Sequence, residues 1–243
     1  MERIRGIILR KNLPEGLTFT AAEAGALCER LVDVFVELHR VDYRKIGLEG
    51  FGKPEGYVRR QVEGWSERYR AARTPDAPDY ESVMAWLHAK MPQESQLVSV
   101  IHNDYRFDNV VLDPQDPFRI IGVLDWEMAT VGDPLMDLGG ALAYWVNRDD
   151  SPEMQAIRMV PTQIEGMMSR SELIRRYAEK MGLSIGNSDF YYCFGLFRLA
   201  VIAQQIYWRF YNGQTKDERF KLMIVAAHVL EKQALQVIEK SGP

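Results

Sequence analysis

Apolar residues recur at helical spacing along most of the chain. Leu27, Leu31, Phe35 and Leu38 fall on one face of a helix that ends near His39, with Thr20 as its N-cap and Glu23 completing a capping box. Residues 41–56, rich in glycine and carrying Pro54, break the spacing and predict a loop. Val58, Val62, Trp65 and Tyr69 then form the inner stripe of a helix over 57–70, Arg73 to Asp79 is a linker, and a short helix follows over 80–90. The pattern shortens next to period two or continuous apolar runs. Residues 97–101, 109–112 and 119–124 predict short strands, the last two joined by the turn Asp113-Pro114-Gln115-Asp116-Pro117. Helical spacing returns from Pro134, over 134–145, 152–168, 170–181, 188–211 and 217–239. The 188–211 stretch is apolar nearly all round, as a central helix is, with Arg198 and Arg209 as its exceptions. Residues 2–10 predict a strand pair or an extended segment broken by Gly6. The sum is an α+β chain, mostly helical, with one small β island.

Composition narrows the setting. The 243 residues can bury one sizeable core or two modest ones, and 47% hydrophobic with 26% charged residues is ordinary for a soluble globular protein. A formal net charge of −4 argues against a nucleic-acid groove. Cys28 and Cys193 sit in apolar helical patterns and read as buried thiols, which points to reducing cytoplasm. No apolar run approaches the roughly 18 residues of a membrane span, and the charged start is unlike a signal peptide.

The unusual polar residues gather on the connections of the β island, in His102-Asn103-Asp104-Tyr105-Arg106-Phe107-Asp108-Asn109 and Leu124-Asp125-Trp126-Glu127. A hairpin between Asn109 and Asp125 returns both to one edge of a sheet, where Asp104 also lies. An acid to take a proton, an amide oxygen and a second acid to hold a divalent cation are the parts of phosphoryl transfer. Asp104 is therefore the candidate catalytic residue, and Asn109 and Asp125 are the candidate metal ligands. The bland alternative is that the aspartates cap turns. His102, after an apolar strand, reads as buried and bonded to loop backbone. Asp133 suits the cap of the helix begun by Pro134, and Asp137, inward among apolar neighbours, needs donors that the 102–109 loop offers, which makes it a brace. Arg106 is a candidate substrate or phosphate contact, with an ion pair as the alternative. Glu127 is a candidate acceptor-pocket residue and Trp126 a packing one. Four histidines with no Cys/His pair at ligand spacing argue against a zinc site.

These motifs resemble those of the aminoglycoside phosphotransferase-like (choline-kinase-like) branch of the protein-kinase fold. The stretch 102–109 looks like that family's catalytic loop, Asp125 like its metal-binding strand end, and Gly132 to Leu138 like the segment that follows. Gly50 to Tyr57, with Arg60, Gln61 and Trp65, is similar to the subgroup related to the kinase-like domain of acyl-CoA dehydrogenase fusions, whose acceptors are poorly defined, with hydroxyacyl-CoA one candidate. The resemblance implies Asp104 as base, Asn109 and Asp125 on Mg²⁺, ATP as co-substrate, and a small-molecule hydroxyl as acceptor. It divides the chain into a hinge and lead-in segment (1–18), a helical part (19–96), the catalytic and metal-binding island (97–127) and a helical substrate-side subdomain (128–243). Met1-Glu2-Arg3 resembles the hinge after the family's nucleotide-clamping lobe, and neither Lys11 nor Lys53 is in context to meet phosphates. The chain thus reads as a kinase-like C-terminal lobe, with weak ATP binding and impaired turnover expected, and an exposed lobe face that favours a homodimer. Competing readings are an inactive kinase-like scaffold and a metal-dependent phosphoester hydrolase. Residues 150–220 show no decisive acidic cluster of the kind a polycationic aminoglycoside would need, which favours another hydroxyl-bearing metabolite.

Overall fold

Helix α1 (Ala21–His39) begins where its capping box predicts: the Thr20 hydroxyl accepts from the Glu23 N–H, and the Glu23 carboxylate accepts from the Thr20 N–H at 2.8 Å. The structure, a computed structural model of the chain, describes residues 3–92 and 97–242. The hinge expectation at Met1 and Glu2, and the end of the 19–96 helical part, lie outside the described residues. Leu27, Leu31 and Phe35 are buried along α1 with Cys28, Val32, Val36 and His39. Helix α2 (Tyr57–Ala72) buries the expected Val58, Val62, Trp65 and Tyr69, and α3 is Glu81–Ala89.

The β region departs from the single island expected. Strand β1 (Ser99–Ile101) pairs antiparallel with β4 (Thr130–Gly132), whereas β2 (Val110–Leu112) pairs antiparallel with β3 (Ile120–Val123), so two separate ladders replace one sheet. Thr130-Val131-Gly132 is too short to show a period, so β4 leaves no trace in the pattern. A Cβ on Gly132 would lie 2.7 Å from Ile101 Cδ1 and 2.9 Å from the Tyr57 ring, so a larger residue there would make those side chains shift. The N-terminal segment is extended and makes a single bridge, Ile7 to Leu112, in place of a strand pair of its own. Gly6 lets it pass, since a Cβ there would sit 2.5 Å from the Leu112 carbonyl oxygen.

The remainder is helical: α4 (Pro134–Tyr144), α5 (Pro152–Ile157), α6 (Arg170–Met181), α7 (Ser188–Tyr211) and α8 (Met223–Ser241). The expected 152–168 helix stops at Ile157. Residues 158–169 form an irregular strap instead, tied down by its side chains. Thr162 Oγ1 accepts from the Val146 N–H and donates to the Val146 carbonyl, Arg158 bonds the carbonyls of Lys11 and Val160, and Gly166 (φ +87°) abuts Ala21. Apolar residues buried in a strap imitate helical spacing, because both need an inward face. Residues expected at the start of the last helix form a 3₁₀ turn, Glu218–Leu222, and α8 follows it.

Helix α7 is the centre, packed between α4, α2 and α8. It meets α4 backbone to backbone: a Cβ on Gly195 would lie 2.0 Å from the Gly139 carbonyl oxygen, and one on Gly139 would lie 2.1 Å from that of Tyr191. Both cysteines are free and buried, and burial pushes each thiol up to about 12. Among the described residues, no helix is long and apolar enough to cross a membrane.

Candidate active site

Strand β1 delivers the chain into a turn clamped from below by one carboxylate. Asn103 takes a left-handed conformation (φ +66°), which an Asn tolerates better than most residues. The turn's two backbone donors both fall on Asp137 of α4: His102 N–H donates to Oδ2 at 2.6 Å and Asn103 N–H to Oδ1 at 2.8 Å. His39 of α1 completes the clamp, its Nε2 lying 3.2 Å from Oδ2. That carboxylate can only accept, so the His39 Nε2 carries a proton, and its Nδ1 lies 2.6 Å from the Tyr177 hydroxyl. Asp137 is 1% exposed and fully engaged.

The His102 ring links the turn to β3. Its Nε2 donates to the Leu124 carbonyl at 2.9 Å, which leaves Nδ1 to accept from the Asp104 N–H at 3.2 Å. Trp126 lies against it with ring centroids 4.8 Å apart, donates to the Val123 carbonyl, and is still 43% exposed, so it packs on one face only.

Asp104 is held by its neighbours in the loop. Asn109 Nδ2 donates to the Asp104 carbonyl and to its Oδ2, each at 2.8 Å. Arg106 Nε lies 3.1 Å from Asp104 Oδ1, its Nη1 lies 3.0 Å from Asp108 Oδ2, and its guanidinium covers the Tyr144 ring at 4.6 Å. Arg106 is thus engaged in ion pairs within the loop, the alternative to a phosphate contact. Burial works against its charge, but Tyr144, Asp104 and Asp108 more than offset that and raise its affinity for the proton. Burial pushes the Asp108 carboxyl up despite Arg106, and its Oδ1 is buried with no partner among the described residues. Burial and then the Asp104 charge push the Tyr144 phenol up to about 12.

Asp125 follows β3 in a left-handed conformation (φ +66°), and its strand end lies beside Asn109 because Leu124 N–H donates to the Asn109 carbonyl at 2.8 Å. The structure therefore brings Asp104 and Asn109 into contact and sets Asp125 on the adjoining strand end, exposed and in no hydrogen bond or ion pair among the described residues. Glu127 is exposed on the next turn and makes no bond to the loop. No group of three His, Cys, Asp or Glu side chains disposed to hold a metal ion occurs among the described residues. The donor chemistry still fits a hard cation that keeps several waters. Asn109 spends its NH₂ on Asp104, so its Oδ1 is free, and so is the Asp125 carboxylate.

Several participants are not singled out by sequence pattern. Asn103 carries a signal, a turn-tolerant Asn directly before Asp104. His39, Tyr144 and Tyr177 carry none, because nothing in helical spacing says which buried polar residue meets a loop far along the chain.

Comparison with known proteins supplies the family. The chain is 31% identical over 243 residues to acyl-CoA dehydrogenase family member 11 of Homo sapiens, a match covering 99% of this chain and 30% of that protein. It thus spans about a third of the length of the curated relatives it matches. A solved protein of Ralstonia eutropha JMP134, assigned as an aminoglycoside phosphotransferase, superposes with TM-score 0.85 at 31% identity, covering 99% of this chain and 72% of that one. A choline kinase from Cryptosporidium parvum shares the fold at TM-score 0.61 and 10% identity, covering 98% of this chain and 70% of that one. With residues 1–165 matching its family model as well, this chain belongs to the phosphotransferase enzyme family.

Proposed function

We propose that this chain transfers the γ-phosphoryl group of ATP to a hydroxyl of a small molecule in a Mg²⁺-dependent reaction, with Asp104 as the base. The observation that carries the reading is the fixing of the Asp104 carboxylate by Asn109 and Arg106, on a turn whose backbone is clamped by a buried carboxylate. Asn109 Oδ1 and Asp125 are the groups that would hold Mg²⁺, which when bound neutralises phosphate charge. The acceptor oxygen forms its bond to the γ-phosphorus as the bridging oxygen leaves with ADP, and the hydroxyl proton passes to Asp104. With a loose transition state the protein contributes mainly position. Here Asp137 sets the height of the turn, His102 sets its distance from β3, and Asn109 sets the direction of the Asp104 carboxylate.

The test is ADP formation from ATP and Mg²⁺ across a panel of hydroxyl compounds, for the wild type and Asp104→Asn. The variant keeps the fold and should lose roughly 10²–10⁴-fold in turnover. Near-wild-type turnover in the variant removes Asp104 from its role. A wild type that binds no ATP by titration and forms no ADP with any acceptor overturns the transfer reading and favours the inactive scaffold.

A further inference from the structure

We infer that Arg198 is an oxyanion-binding residue, and that the phosphoryl acceptor carries a carboxylate or phosphate that it receives. The word acceptor rests on the function proposed above; the anion site does not.

Arg198 lies on the central helix α7, among mostly apolar and aromatic buried neighbours, and is only 7% exposed. Its guanidinium covers the Trp65 ring at 5.3 Å, and its Nη2 is 3.6 Å from Met128 Sδ, a weak acceptor. Among the described residues no carboxylate pairs with it and no oxygen accepts from it. The same protein shows how it builds a structural arginine that is mostly covered. Arg170 makes two 2.6 Å bonds to Asp150, donates to the Trp145 carbonyl at 2.7 Å, and stacks on Tyr192. A guanidinium has five N–H donors, and those of Arg198 are left to solvent and a thioether, with no protein oxygen held against them among the described residues. Such a group is retained where a ligand supplies the oxygens.

The place fits an acceptor. Met128 joins Arg198 to the catalytic turn, since the Met128 carbonyl accepts from Asn103 Nδ2 at 2.9 Å, next to Asp104. The Tyr57 and Tyr144 phenols both feel the Arg198 charge. Gly140 of α4 leaves room, as a Cβ there would lie 3.6 Å from Nη1. The lid is the Met128 side chain, 38% exposed and flexible enough to swing aside. The charge is also of the wrong sign for a polycation, so an aminoglycoside acceptor is disfavoured here.

Two measurements decide it, both without nucleotide. In thermal unfolding with no ligand, Arg198→Met should hold or raise Tm, whereas Arg170→Met should lower it by several degrees. An Arg198→Met protein that fails to fold, or falls as far as Arg170→Met, makes Arg198 structural and overturns the proposal. In calorimetric titration, glycerate, lactate and glycerol 3-phosphate are compared with glycerol and 1,2-propanediol. The charged members should bind the wild type at least tenfold tighter than their neutral counterparts. Arg198→Met should lose that preference and Asp104→Asn should keep it. Whether the carboxylates or the phosphate bind tighter identifies the anion. Equal binding of charged and neutral members, no binding of any, or an unchanged preference in Arg198→Met overturns the assignment. Absence of ATP turnover would leave these results standing, so the two readings fail separately.

Discussion

Asp137 and Arg198 are both buried charges, carried by helices that touch at Gly139 and Gly195, yet their surroundings are opposite. Asp137 receives two backbone N–H groups and an imidazole, on oxygens that reach out to the turn and to α1. Arg198 meets an aromatic face and a thioether. A buried charge with its bonding capacity filled fixes shape. One with that capacity open keeps donors that a ligand's oxygens can take. Burial alone does not separate a brace from a binding group; the census of partners does.

The largest effect that could break this contrast is in Asp137→Ala. It strands two buried N–H groups and the His39 ring, and should cost about 3–5 kcal/mol in urea unfolding, the scale for removing one partner of a buried charged cluster. A loss below about 1 kcal/mol, no more than an ordinary hydrogen bond, would dissolve the contrast. Next is Gly139→Ala, which leaves both charges intact but pushes a methyl group toward the Tyr191 carbonyl, at 2.1 Å in the present packing. It should cost about 1–3 kcal/mol in thermal unfolding as α4 moves off α7. An unchanged Tm would mean the two helices are free to slide and the two sites are not held in register. The smallest effect sharpens the comparison with an exposed charge. Glu153, at the start of α5, is held at about 2, first by its hydrogen bond to Lys232 of α8 and then by its own helix cap. A carboxyl with a depressed folded pKa contributes stability above its unfolded value near 4.5, and that contribution is lost as pH falls toward 2. Glu153→Gln should therefore flatten the acid limb of urea midpoint against pH slightly, because the pair is solvent-screened. A limb as steep as the wild type's would show that the pair contributes nothing.

Local rules carry much of the fold. The Thr20–Glu23 box opens α1, Asp133 accepts from the Leu135 N–H ahead of Pro134 at 2.7 Å, and the Asp113–Pro117 turn joins β2 to β3, each set by a few adjacent residues. The neighbourhood of Asp104, Asn109 and Asp125 is legible for the same reason, since one loop and one hairpin bring them close. What escapes depends on partners distant in sequence. β4 exists because β1, about thirty residues earlier, offers an edge. The 158–169 strap is held by residues of α1 and by Val146, at the end of α4. Arg198 stands out in sequence as a charge on an apolar helix, but only three dimensions show that no carboxylate among the described residues comes to meet it.

The His102 imidazole has a mechanical consequence. One rigid ring bonds the Leu124 carbonyl at 2.9 Å on one side and the Asp104 N–H at 3.2 Å on the other. It works as a strut between two ladders that share no backbone pairing. A nudge to the β2–β3 hairpin therefore reaches the base of the candidate site by a second route, beside the chain itself, which runs from β2 straight back through Asn109.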